Sequence, residues 1–161
     1  MDQHDQFMKT AVELARNNVE AEGGQPFGAV LVEDGRVLAT GVNRIRANQD
    51  PTAHAEMEAI RAACRTLKRT RLDGCVMYAS GYPCPMCLSA MQQIGIQTIY
   101  YGYSDADCEP YGFSTELMYR GLRESVPGYS ARLEYRRGRL EGTDAFDLWQ
   151  AQQNSAGEEG S

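Results

Sequence analysis

Between about Asp5 and Glu22 the apolar positions Phe7, Met8, Ala11, Val12, Leu14, Ala15 and Val19 recur at helical spacing, and Gly23-Gly24 ends the run. The spacing predicts a helix packed on a sheet. Phe27 to Val32 is then nearly continuous in apolar residues, Glu33-Asp34-Gly35 carries turn chemistry, and Val37 to Val42 completes a predicted β-hairpin. From His54 to Leu67, residues Met57, Ile60, Ala63, Cys64 and Leu67 fall on one helical face, with Asp50 and Thr52 as the expected N-terminal cap. Cys75 to Ala79 reads as a buried strand, Pro85 to Ile94 as a helix with proline in its first turn, and Thr98 to Tyr103 as a further strand.

After Tyr103 the pattern weakens. Asp105 to Gly112 reads as a loop, Ser114 to Leu122 as a short helix, Ala131 to Arg136 as a strand and Thr143 to Gln152 as a closing helix. This order predicts an α/β fold, a three-layer α/β/α sandwich around a central mixed five-stranded sheet with right-handed crossovers. The 161 residues suit a single domain, 1–161, with 153–161 as a polar, flexible tail.

Composition narrows the function. No apolar stretch is long enough to cross a bilayer, and the polar, acidic start Met1-Asp2-Gln3-His4-Asp5 is unlike a secretory signal. Five cysteines, an odd number without the spacing of a disulfide framework, point to a reducing cytoplasm. The formal net charge of −6 repels a phosphate backbone, which argues against a nucleic-acid partner and for a small-molecule substrate. The run Arg136-Arg137-Gly138-Arg139 reads as a solvated turn.

The chemistry concentrates in two short stretches, His54-Ala55-Glu56 and Pro83-Cys84-Pro85-Met86-Cys87. Cys84 and Cys87, three apart on a first helical turn, place both thiols on one side, where the helix dipole favours thiolates. A lone Cys-x-x-Cys is compatible with structural zinc, redox chemistry or chance. No second Cys-x-x-Cys exists to close a structural tetrahedron, and His54 is the nearest complement. One imidazole and two thiolates give Zn2+ three ligands and leave the fourth position to water, whose pKa the metal lowers. On a regular helix Glu56 lies roughly 200° from His54, so spacing alone does not bring it to that metal. Glu58 reads as a carboxylate that supports the site from behind or is exposed, in preference to a ligand, Cys64 and Cys75 read as core residues, and Cys108 has no assigned role.

His-x-Glu followed by Pro-Cys-x-x-Cys resembles the signature of zinc-dependent base deaminases, the cytidine-deaminase superfamily. The longer strings Asp50 to Glu56 and Pro83 to Leu88 are most similar to the small bacterial guanine deaminases and, more distantly, to tRNA adenosine deaminases. The resemblance implies hydrolysis of an amine on a heterocyclic base, most simply guanine to xanthine and ammonia, with Glu56 moving the protons. It also implies base-binding roles for Asn43, for the Ala55 backbone N–H and for Phe27 in the pocket wall. Asp107 and Glu141 match acidic positions that would accept from the donor edge of guanine. A homodimer is implied, with Glu141 of the C-terminal segment completing either its own or a neighbour's site.

Three positions depart from the guanine deaminase pattern: Tyr82 in place of Glu, Gln93 in place of Trp, and a tail without a terminal aromatic. They leave guanosine, a pterin, an aminotriazine or cytosine as alternative substrates. A tRNA adenosine deaminase and a non-catalytic zinc-binding interaction domain are the rival classes.

Overall fold

The computed structural model describes residues 1–125, 133–136, 142 and 144–158. Helix α1 (Gln3–Glu22) starts with Asp2 as a capping box with Asp5 and ends at left-handed Gly23. The hairpin follows as β1 (Gly28–Glu33) and β2 (Arg36–Val42), joined through Asp34 and Gly35, both at positive φ. A short helix α2 (Ile45–Asn48), which hydrophobic spacing does not signal, leads to α3 (Ala55–Leu67). Strand β3 (Val76–Gly81), helix α4 (Pro85–Gln93) and strand β4 (Thr98–Tyr103) complete the regular half.

The sheet order is β2-β1-β3-β4-β5, with β5 at Leu133–Tyr135. Both pairings of β1 are antiparallel, whereas β3/β4 and β4/β5 are parallel, so the sheet is mixed and five-stranded as expected. Alternation along β1 divides the core. Ala29 and Leu31 pack with Ala59 and Ala63 of α3 and with Leu88 and Met91 of α4, whereas Val30 and Val32 pack with Met8 and Val12 of α1. Two glycines set the spacing of these layers: a Cβ on Gly28 would strike the Ala11 carbonyl of α1, and one on Gly41 would strike the Ala55 carbonyl of α3.

The second half differs from the expected pattern. Residues 105–111 are not a loop but helix α5 (Asp105–Cys108) and a 3-10 turn (Glu109–Tyr111), followed by α6 (Glu116–Ser125). The closing helix expected to end at Gln152 is α7 (Ala145–Glu158), which runs on as far as Glu158. Gln152 anchors α7 by donating to the Val19 carbonyl at 2.7 Å, and Arg46 donates to Gln153 at 3.3 Å while lying 4.7 Å over the Trp149 ring.

Candidate metal centre and active site

His54 and Cys84 hold equivalent places on two helices. Each is the N-cap, with extended backbone (ψ 158° and 163°), and neither side chain caps its helix. Asp50 and Thr52, expected to cap α3, instead bond to each other, Thr52 Oγ1 donating to Asp50 Oδ1 at 2.7 Å. Freed from capping, His54 Nδ1 lies 3.5 Å from Cys84 Sγ, and Cys87, at the third residue of α4, completes the cluster. The His54, Cys84 and Cys87 ligand atoms lie within 4.8 Å of one another. A tetrahedral zinc with bonds of about 2.0–2.3 Å needs edges of roughly 3.3–3.8 Å, so the three fit the ion with a small closure.

The electrostatics point the same way. Hydrogen bonding from the Cys87 thiol, and then from His54, holds Cys84 down at about 4 against its burial. Cys87, donating to Cys84 and buried beside Glu56, is pushed far up. Two thiolates this close repel in a buried site, and a divalent cation is what lets both ionise. Burial, and then the Cys84 thiolate, push the Glu56 carboxyl up.

Glu56 reaches this centre because His54 is outside the helix. The angular separation expected of two helical residues therefore does not apply. Glu56 is buried at 8% exposure and lines the same cavity as His54 and Cys84. Glu58 faces away, paired with Arg61 at 2.6 Å.

That cavity is about 350 Å3, within the usual range for small-ligand sites, roughly 300–1,000 Å3. Phe27, Asn43 and Ala55 line it. Asn43 is fixed from two sides: its Nδ2 donates to Gln25 Oε1 at 3.2 Å, and its Oδ1 accepts from the Ile45 amide at 3.3 Å. Ala55, the first residue of α3, carries one of the first-turn N–H groups that lack an intrahelical partner. Phe27 packs edge-on against Phe113 and Phe146, at 5.1 and 5.5 Å.

The two acidic positions matched to the base edge fare differently. Asp107 does not line the cavity. It is the third residue of α5, where its Oδ2 accepts from Ser104 N at 2.9 Å and Ser104 Oγ at 2.8 Å in a capping box, beside a different hollow with Tyr103, Tyr111 and Asp144. The sequence Ser104-x-x-Asp107 is itself the signal for that role. Glu141 lies outside the described residues. Gln93 is exposed at the end of α4 and is not part of the cavity lining, whereas Tyr82 does line it and packs against Tyr101 and Tyr119.

Sequence reasoning missed the far wall: Phe113, Ser114, Thr115 and Met118, together with Gln25. Ser114 and Thr115 read only as a helix start, and no spacing rule marks a pocket wall. Tyr119 was also unmarked. It is buried and donates from its hydroxyl to the Pro83 carbonyl, holding the backbone just before Cys84.

A three-layer α/β/α fold carrying a His-Cys-Cys cluster, with a buried glutamate lining the same cavity, defines a zinc-dependent hydrolytic deaminase. The chain belongs to the family described as the cytidine and deoxycytidylate deaminase zinc-binding region, whose model matches residues 1–103. It is 40% identical over 135 residues to a guanine deaminase of Bacillus subtilis, covering 81% of this chain and 86% of that protein. A tRNA-specific adenosine deaminase of Agrobacterium fabrum is 38% identical over 146 residues, with 84% and 95% covered. The solved guanine deaminase structure from Bacillus subtilis superposes with a TM-score of 0.71 at 37% identity, over 96% of this chain and 95% of that one. A guanine deaminase structure from Nitrosomonas europaea gives 0.69 at 28% identity, over 91% and 82%.

Proposed function

We propose that this protein hydrolytically deaminates a purine-like base in the cytoplasm, as a step of purine metabolism, with guanine converted to xanthine and ammonia as the leading reaction. The observation that carries it is the buried Glu56 carboxyl lining one 350 Å3 cavity together with His54 and Cys84. His54, Cys84 and Cys87 would hold the zinc, which when bound supplies a Lewis acid that activates water at neutral pH.

The chain's own residues account for the rest. Glu56 takes a proton from water, delivers it to the ring nitrogen beside the reacting carbon, and passes a further proton to the exocyclic amine, which leaves as ammonia. Its raised pKa suits a group that must both accept and donate. Asn43 and the Ala55 N–H orient the base, while Phe27 and Phe113, packed edge-on, give the cavity an apolar wall.

The reading includes a homodimer, with the C-terminal segment around Glu141 closing its own or the neighbouring site. Leu117, Met118 and Tyr135 offer exposed apolar surface for such contact. A fully active monomer by sedimentation at micromolar concentration removes this part. For the reaction, ammonia release is measured across guanine, guanosine, adenine, cytosine, a pterin and an aminotriazine. Guanine is expected to give the highest kcat/KM. Turnover of another heterocycle with guanine inert would move the substrate and keep the chemistry.

A further inference from the structure

The far wall of the cavity is a turn, residues 112–115, pinned by one carboxylate that does not line the cavity itself. Asp105, the first residue of α5, accepts three hydrogen bonds from that turn. The Thr115 backbone N–H lies 2.6 Å from Oδ1, the Thr115 hydroxyl 3.0 Å from Oδ1, and the Ser114 hydroxyl 2.7 Å from Oδ2. Both hydroxyl oxygens belong to residues that line the cavity.

An ionised carboxylate only accepts, whereas a hydroxyl has one hydrogen to give and two lone pairs to offer. With both hydrogens committed to Asp105, Ser114 and Thr115 have no hydrogen left for a ligand. Ser114 Oγ already spends one lone pair on the Glu116 amide at 3.3 Å, and Thr115 Oγ1 retains its acceptor capacity. Burial works to raise the Asp105 carboxyl, but the hydrogen bonds from Thr115 and Ser114 outweigh it and hold the group below the usual carboxylate range. It therefore has no proton to return.

We propose that Asp105 is a positioning residue for substrate recognition: by taking the Ser114 and Thr115 hydrogens it turns that wall into a hydrogen-bond acceptor, which selects heterocycles presenting a ring N–H. This deepens the function proposed above and rests on its purine-like substrate. Guanine presents N1–H at that edge, whereas adenine presents a bare N1 acceptor. An acceptor facing an acceptor is left desolvated and unpaired, a loss of roughly tenfold or more in affinity. Asp105, which is neither of the acidic residues expected at the base edge, thus acts from one layer back, through two neutral hydroxyls.

The test uses the zinc-loaded full chain and two ligands without an exocyclic amine, so that neither is consumed: hypoxanthine, with a ring N1–H, and purine, with a bare N1. Calorimetric titration of wild type should give tighter binding of hypoxanthine by about tenfold or more. Asp105→Asn keeps the shape but donates an amide hydrogen to the turn, releasing a hydroxyl hydrogen toward the cavity, so the preference should fall at least about fivefold. Thr115→Val, which keeps shape and loses the hydroxyl, should lower it in the same direction and remains informative if Asp105→Asn fails to fold. An unchanged ratio in the variants, equal weakening of both ligands, no preference in wild type, or no binding of either ligand would overturn the proposal. Ammonia release from guanine is recorded separately. Its absence overturns the proposed reaction, while the binding ratio still judges the role of Asp105.

Discussion

The half of the chain that ends with β4 and the half that follows it build opposite sides of one cavity by different rules. In the first, the side chains proposed for metal binding and proton transfer sit at helix N-termini: His54 before α3, Cys84 before α4, and Glu56 and Cys87 in the first turns. Metal chemistry leaves little choice of residue type or spacing there, so the site is written as two short strings. In the second half, the wall at 112–115 is defined by shape and by a single buttress, Asp105. Shape leaves no fixed string. The family model, which matches residues 1–103, stops at the same boundary.

The contrast breaks most severely at the ligands. Cys87→Ala or Cys84→Ala should lose zinc and deaminase activity together, since the remaining two side chains hold the ion poorly. Metal analysis finding one zinc per chain in either variant would refute the ligand set. Asn43→Ala comes next. It removes a cavity group held by Gln25 and Ile45, and kcat/KM should fall by roughly 10- to 100-fold with zinc content unchanged. An unaltered kcat/KM would take Asn43 out of base recognition.

Gly41→Ala tests whether the scaffold of the first half sets its chemistry. The added methyl would meet the Ala55 carbonyl at the start of α3, next to both His54 and Glu56. A loss of about 1–3 kcal/mol in stability is expected, with a drop in turnover at temperatures where the protein stays folded. Thermal unfolding and rates measured on the same samples separate the two.

The smallest effect falls in the second half. Asp107→Ala removes the capping-box partner of Ser104 and should cost about 1 kcal/mol of stability, while kcat/KM for guanine stays within about threefold. A large fall in kcat/KM with an unchanged melting temperature would return Asp107 to the base edge.

These outcomes follow how legible each part is in the sequence. Strand β4 has the expected bounds, and the hairpin turns where Asp34 and Gly35 demand it, because sheet alternation and left-handed turn residues leave local marks. His54 and Glu56 were separable by angle only on the premise of a continuous helix. The extended N-cap removes that premise, and the cap is a tertiary outcome: the His54 side chain turns to Cys84, thirty residues away in the sequence. Short α2, α5 and the 3-10 turn are too brief to show a period. The family match points Asp107 to the base, whereas the local Ser104-x-x-Asp107 spacing marks the capping box that the residue forms. Ser114 and Thr115 acquire meaning only through Asp105, about ten residues upstream, which no periodicity connects to them.

If His54, Cys84 and Cys87 hold a zinc whose chemistry depends on the proton carried by Glu56, metal binding and turnover must separate in one variant. The decisive comparison is zinc content and ammonia release from guanine for wild type and Glu56→Gln, purified side by side. The expected result is one zinc per chain in both proteins and a rate lowered by about 10²-fold or more in the variant, the contribution of general acid–base catalysis. A Glu56→Gln protein that holds its zinc and turns over at the wild-type rate would contradict the account.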